Sequence, residues 1–116
     1  MAGTAGLCCC HGAVNQQGRI TRASVTHMRF LAPGRRPLIG QEFQQFFNRK
    51  TLSEADLGKL NRACSWARCG RAPVAMVITY RSGNRAPRLL DMLVRPKLRD
   101  DEIRGFYLCA KDLSRS

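Results

Sequence analysis

No stretch of this sequence approaches the roughly 18 apolar residues that a membrane-crossing helix needs. The opening MAGTAGLCCCHG has neither the basic flank nor the long apolar centre of a secretory signal. Leu7, just before Cys8, is bulky where a lipoprotein cleavage site takes a small side chain. A cytoplasmic location is therefore expected. Histidine is scarce, with 2 in the chain, His11 and His27, both near the N-terminus. That leaves no Ser-His-Asp or Cys-His-Asn arrangement to argue for. The acidic residues cluster at a helix start and in one hairpin turn rather than as a working carboxylate pair, so no enzymatic activity is expected.

Acidic residues are also few: 8 Asp and Glu stand against 20 Lys and Arg, a net charge of +12. Charge of that size bears on partners rather than fold. It favours nucleic acid, a membrane surface, an acidic protein face or an anionic ligand. The basic residues are scattered and no aromatics interleave with them, which is the pattern of a solvated surface. The 6 cysteines lack regular spacing. Cys8, Cys9 and Cys10 are adjacent, and Cys64 and Cys69, five apart on one helix, point about 140° away from each other. That geometry suits neither a disulfide nor a shared metal, so reduced thiols are expected. The run Cys8–His11 lacks the paired spacing of tetrahedral zinc, and no metal site is assigned. Reversible palmitoylation there, beside a basic surface, stays open.

What is present fits one domain of 116 residues, large enough to bury roughly two-thirds of its unfolded surface. Residues 1–12 read as a flexible leader. AVNQQGRITRAS reads as two strands joined by a turn at Gln16-Gln17-Gly18, where Gly18 supplies positive φ. VTHMRFLAPGRRP reads as a short helical piece broken at Pro33-Gly34 and Pro37. Phe43, Phe46 and Phe47 share one face of a second short helix. The longer helix starts at Ser53, with Asp56 placed as in a capping box and Glu54 in the first turn. Its apolar stripe is Leu57, Leu60, Cys64 and Ala67, and Gly70 and Pro73 end it.

The last third is β. Val74, Met76, Ile78 and Tyr80 alternate with Ala75, Val77, Thr79 and Arg81. Leu90, Met92 and Val94 share one face of the next strand, with Pro96 at its end. After an acidic turn at Asp100-Asp101-Glu102 comes IRGFYLCAKD, apolar on both faces. Phe106, Leu108 and Ala110 lie on one face, Tyr107 and Cys109 on the other. Such a strand belongs in the middle of a sheet or under a partner. The expected fold is α+β, a five-stranded antiparallel sheet with helices packed on one face.

The segments GRITRAS, LIGQEFQQFF, ITYRSGNRAPRLLDMLVRP and RDDEIRGFYLCAKDLS, taken in order, resemble a PAS domain, the sensory module of bacterial signalling proteins. The resemblance spans about residues 13–114. It rests on the Gly-x-Ile hairpin, on Leu38-Ile39-Gly40, and on Gly105-Phe106 closing to Asp112-Leu113-Ser114. Departures are Asn15 for an Asp before the first turn, Ser24-Val25 after the second strand, and Leu113-Ser114 for Ile-Thr.

The resemblance implies a PAS-like sheet with a pocket beneath the helices, lined by Phe30, Phe43, Phe47, Trp66, Ile78, Met92, Phe106 and Leu108. These side chains either hold a small organic ligand or simply fill a core. It also implies a homodimer through the outer sheet face at Tyr107 and Cys109, and a signal relayed by Asp112. Residues 115–116 would begin a linker to an effector: a kinase, a cyclase or phosphodiesterase, or a transcription regulator, as in two-component systems. The flavin-attachment motif of light-oxygen-voltage domains is missing, and the long helix carries no histidine to ligate haem. No cofactor is therefore assigned. The competing expectation is a stand-alone basic protein that binds nucleic acid or an anionic surface. A third is a flavin or other redox sensor using Cys64, Cys69 or Cys109.

Overall fold

The computed structural model describes residues 11–24, 28, 31, 37–69, 72–83 and 85–113. Its sheet has five strands: β1 (Gly12–Asn15), β2 (Ile20–Ala23), β3 (Val74–Tyr80), β4 (Arg88–Arg99) and β5 (Glu102–Asp112). Their order is β2-β1-β5-β4-β3, and every pairing is antiparallel. The two-sided apolar strand β5 thus occupies the centre, one of the two places its sequence allows. A helix, α1 (Glu54–Arg68), packs across β4 with β3 and β5 to either side. The protein is an α+β fold. The segment expected as the first short helix lies largely outside the described residues.

Local chemistry sets the elements. Ser53 is extended and its hydroxyl accepts the Asp56 N–H at 3.2 Å, which satisfies one of the free amides at the helix start. The Asp56 carboxylate reaches outward instead of closing a capping box: Oδ2 accepts the Thr79 N–H at 3.0 Å, tying α1 to β3. Leu60, Ala63, Cys64 and Ala67 form the buried stripe of α1. The Phe43–Phe47 stretch is not the expected α-helix. Only Phe43–Gln45 is helical, as one 3-10 turn, because Asn48 and Thr51 fold the chain back through side-chain bonds to Gln44, Gln45 and Phe46 carbonyls.

Two hairpins frame β5. In the first, Asn15 Oδ1 accepts the Gln17 and Arg19 N–H groups at 3.0 Å each, and Gly18 takes φ +84. In the second, Asp100 and Asp101 both hold positive φ, 53 and 63, as a two-residue hairpin turn requires. Pro96 does not end β4; the strand runs on to Arg99. The last β3–β4 pair is Val74 with Val94, so Pro96 has no β3 neighbour to which an N–H would be owed. A register irregularity between Pro96 and Leu98 follows directly.

Candidate functional site

The register sorts the strands into two faces. On the helix side the rows are Met76–Met92–Ala110, Val74–Val94–Leu108–Gly12 and Pro96–Phe106–Val14. Phe106, Leu108, Met92, Leu90, Ile78 and Leu60 are all essentially without solvent exposure. Over them lies an aromatic cluster. Phe43 stacks on Phe47 with centroids 4.5 Å apart, meets Phe106 edge-on at 5.3 Å, and Phe47 meets Tyr80 at 5.4 Å. Such contacts fix ring orientation beyond what area burial gives.

Six of the residues expected to line a pocket, Phe43, Phe47, Ile78, Met92, Phe106 and Leu108, therefore converge in one apolar interior. Phe30 lies outside the described residues. Trp66 does not belong to this interior: it is 53% exposed and stands beside β3 in a surface groove with Arg62 and Met76. The helical period explains this, since at about 100° per residue Trp66 falls roughly 110° from the centre of the buried stripe formed by Leu60, Ala63, Cys64 and Ala67. Tyr80 is the interior aromatic that joins the cluster without having been marked as a pocket residue. Its alternation with Ile78 carried that signal.

Between β1, β2 and Phe43 the interior holds a cavity of about 10 Å3, lined by Val14, Ile20, Met28, Leu31, Phe43 and Leu108 among others. That is about the space of one water molecule. A ligand here would have to displace side chains. Cys64 faces the same core, and burial pushes its thiol up to about 12, partly offset by Arg68. It is a protonated, weakly nucleophilic group at neutral pH. Burial likewise raises Tyr80 well above the usual phenol range.

The opposite face carries the rows Ala75–Leu93–Cys109, Val77–Asp91–Lys111 and Ala13–Tyr107–Arg95. Tyr107, Cys109 and Leu93 are half-buried there, while Val77 and Leu89 are exposed at 46% and 42%. The Arg95 guanidinium lies 5.5 Å and the Lys97 ammonium 5.8 Å from the Tyr107 ring centroid. Arg95 Nε is buried with no hydrogen-bond partner among the described residues.

Asp112 ends β5 on the helix side, where its Oδ2 accepts from Arg88 at 3.1 Å. His11 and Gly12, read in the sequence as leader, are integrated with the sheet. Gly12 opens β1, and the His11 ring lies against the Ala110 backbone, with Nδ1 2.9 Å from O and 3.0 Å from N. An open basic notch sits at the far end of the β4–β5 hairpin. It brings Lys97, Arg99 and Arg104 beside Asp100, Gln16 and Gln17, with Arg104 paired to Glu102 at 2.6 Å.

A solved structure described as the sensor region of a sensor histidine kinase shares this fold. The match has a TM-score of 0.62 at 12% identity and covers 90% of this chain but 40% of that one. No protein-family profile matches the sequence, and no curated protein matches it. Among the described residues no helix is long and apolar enough to cross a membrane.

Proposed function

We propose that this chain is a PAS-type sensory and dimerisation module of a bacterial signal-transduction protein. The observation that carries the reading is the shared fold with a histidine kinase sensor region over 90% of the chain. The order β2-β1-β5-β4-β3, with α1 on one face and an apolar, partly open opposite face, supports it. Dimerisation uses the outer face: a second copy covers Tyr107, Cys109 and Leu93. The signal is a choice between two packings of that face, relayed through Asp112 and its Arg88 bond to a C-terminal effector. An input acts only by favouring one packing over the other. A cavity of about 10 Å3 supports a partner or a tightly fitted small molecule as input rather than a bulky resident ligand. The module itself performs no reaction.

Native mass spectrometry with an absorption spectrum of the same sample tests this. A colourless dimer is expected, converted to monomer by Tyr107→Glu. A monomer at all concentrations overturns the dimer. A monomer with co-purified nucleic acid favours the second reading, a basic binding protein, for which the Lys97, Arg99 and Arg104 notch is the supporting feature. That reading further requires an affinity that falls steeply with salt.

A further inference from the structure

The sheet covers one of its edges and leaves part of the other open. Along β2 runs the segment 40–43: Ile20 N–H donates to Gln41 O at 2.8 Å, Gly40 N–H to Ile20 O at 2.7 Å, and Phe43 N–H to Gly18 O at 2.8 Å. Along β3 the cover is partial. Thr79 N–H donates to Asp56 Oδ2 at 3.0 Å, and Arg81 N–H to Thr51 O at 2.8 Å. These two amides show that the main-chain groups of alternate residues face away from β4. The ladder from Val74 to Tyr80 is unbroken, so the groups of Ala75 and Val77 face the same way. Neither has a partner on that side among the described residues.

Beside this open stretch lies a groove of about 200 Å3 between α1 and β3. Its floor is Ala63, Val74 and Met76, and its wall is Trp66 with Lys59 and Arg62. Lys59, Arg62, Ala63 and Trp66 recur at helical spacing, so α1 presents them as one face. Lys59 has a distant ion pair with Asp56 at 3.8 Å; Arg62 has no acidic partner among the described residues. An exposed tryptophan, unpaired strand amides and two cations thus share one site.

We propose that the open β3 edge and the Trp66 groove bind an extended acidic peptide segment of a partner protein, added as a further strand beside β3. Main-chain bonds to Ala75 and Val77 would supply the anchoring. Alternate side chains of the guest face α1, apolar ones against Trp66 and Met76 and carboxylates toward Lys59 and Arg62. A second copy adding its own β3 here fits the edge poorly, because it brings the same two cations, Lys59 and Arg62, to the contact. The inference does not depend on the sensor reading.

Trp66 is the only tryptophan of the chain, so its emission reports on the groove alone. The probe is a short capped peptide of alternating valine and glutamate, with a valine–lysine peptide as its counterpart. Expected is a saturable blue shift of Trp66 emission with the glutamate peptide only, and amide chemical-shift changes at Ala75 and Val77. Lys59→Glu with Arg62→Glu should weaken binding about tenfold or more. Val77→Pro should abolish it, since the lost N–H faces away from β4 and the ladder survives. The charge variants keep the test intact if the proline variant fails to fold. Equal binding of the lysine peptide, or no saturable response from folded protein, overturns the proposal. A blue shift that grows with protein concentration alone also overturns it, assigning the edge to a second copy.

Discussion

Gly105 is where the first hairpin meets the rest of the sheet, and replacing it with alanine tests the topology at one atom. The residue pairs with Asn15 of β1 and holds φ +128, a region that side chains rarely enter. A Cβ there would collide with the Val14 carbonyl oxygen and lie 2.9 Å from Asn15 Cα. Both obstacles are backbone and cannot rotate away. The unfavourable φ costs about 1–3 kcal/mol and overpacking a further 1–3 or so. Gly105→Ala should therefore lose roughly 3–5 kcal/mol of a total near 5–15. Gly83→Ala is the control: φ is +57 but nothing stands within 4 Å of the added carbon, so about 1 kcal/mol is expected. Urea unfolding followed by far-ultraviolet circular dichroism measures both. Amide exchange in Gly105→Ala should accelerate first at Asn15 and Arg19, which close the β1–β2 hairpin. If the two substitutions cost the same, β1 does not press on Gly105 and the β1–β5 pairing is wrong.

Ser53→Ala should cost about 1 kcal/mol as a lost helix cap, and Asp56→Ala about twice that, because it strips Thr79 N–H of its acceptor and takes a carboxylate from the dipole-positive first turn; equal losses in urea would deny the α1–β3 tie. Cys64 ionises near 9 when unfolded and about 12 when folded, so the folded state keeps a proton that the unfolded state gives up. The stability this group contributes is full below about pH 9 and declines toward pH 12, by on the order of 1 kcal/mol per pH unit. Tyr80 shifts in the same direction. Cys64→Ala should make the alkaline fall of the urea midpoint shallower, and an unchanged slope would refute the assignment. Asp112→Ala removes an ion pair whose Arg88 side is 41% exposed, so a loss within about 1 kcal/mol is expected. A larger fall in thermal stability would mark Asp112 as a structural rather than a relay residue.

Much of this was legible in the chain because it depends on local rules. Alternation at Ile78, Tyr80, Leu90, Met92 and Val94 gave the buried face, since successive side chains of a strand must point to opposite sides. Phe106 is apolar because its face of β5 is packed by α1 and the aromatic cluster, whereas Tyr107, on the opposite face, is half-buried against Arg95 and Lys97. Phe43 and Phe47 were read as pocket residues and do reach the core, although from a 3-10 turn rather than a helix. Trp66 stands outside the core because its angle on α1, and not its apolar character, decides which way it faces. His11 could not be found at all: its contact with Ala110 spans 99 positions.

The sequence by itself determined the α+β class, the order of elements, the helix start at Ser53 and the hairpin turns, each written in side chains a few residues apart. Only the tertiary structure decided which strand lies at the open edge, that Asp56 serves β3 as well as α1, and that Lys59, Arg62 and Trp66 stand beside unpaired β3 amides. The reason is physical. Caps, turns and alternation are properties of short stretches, whereas an edge or a groove exists only once segments remote in sequence have taken their places and left some groups without a neighbour.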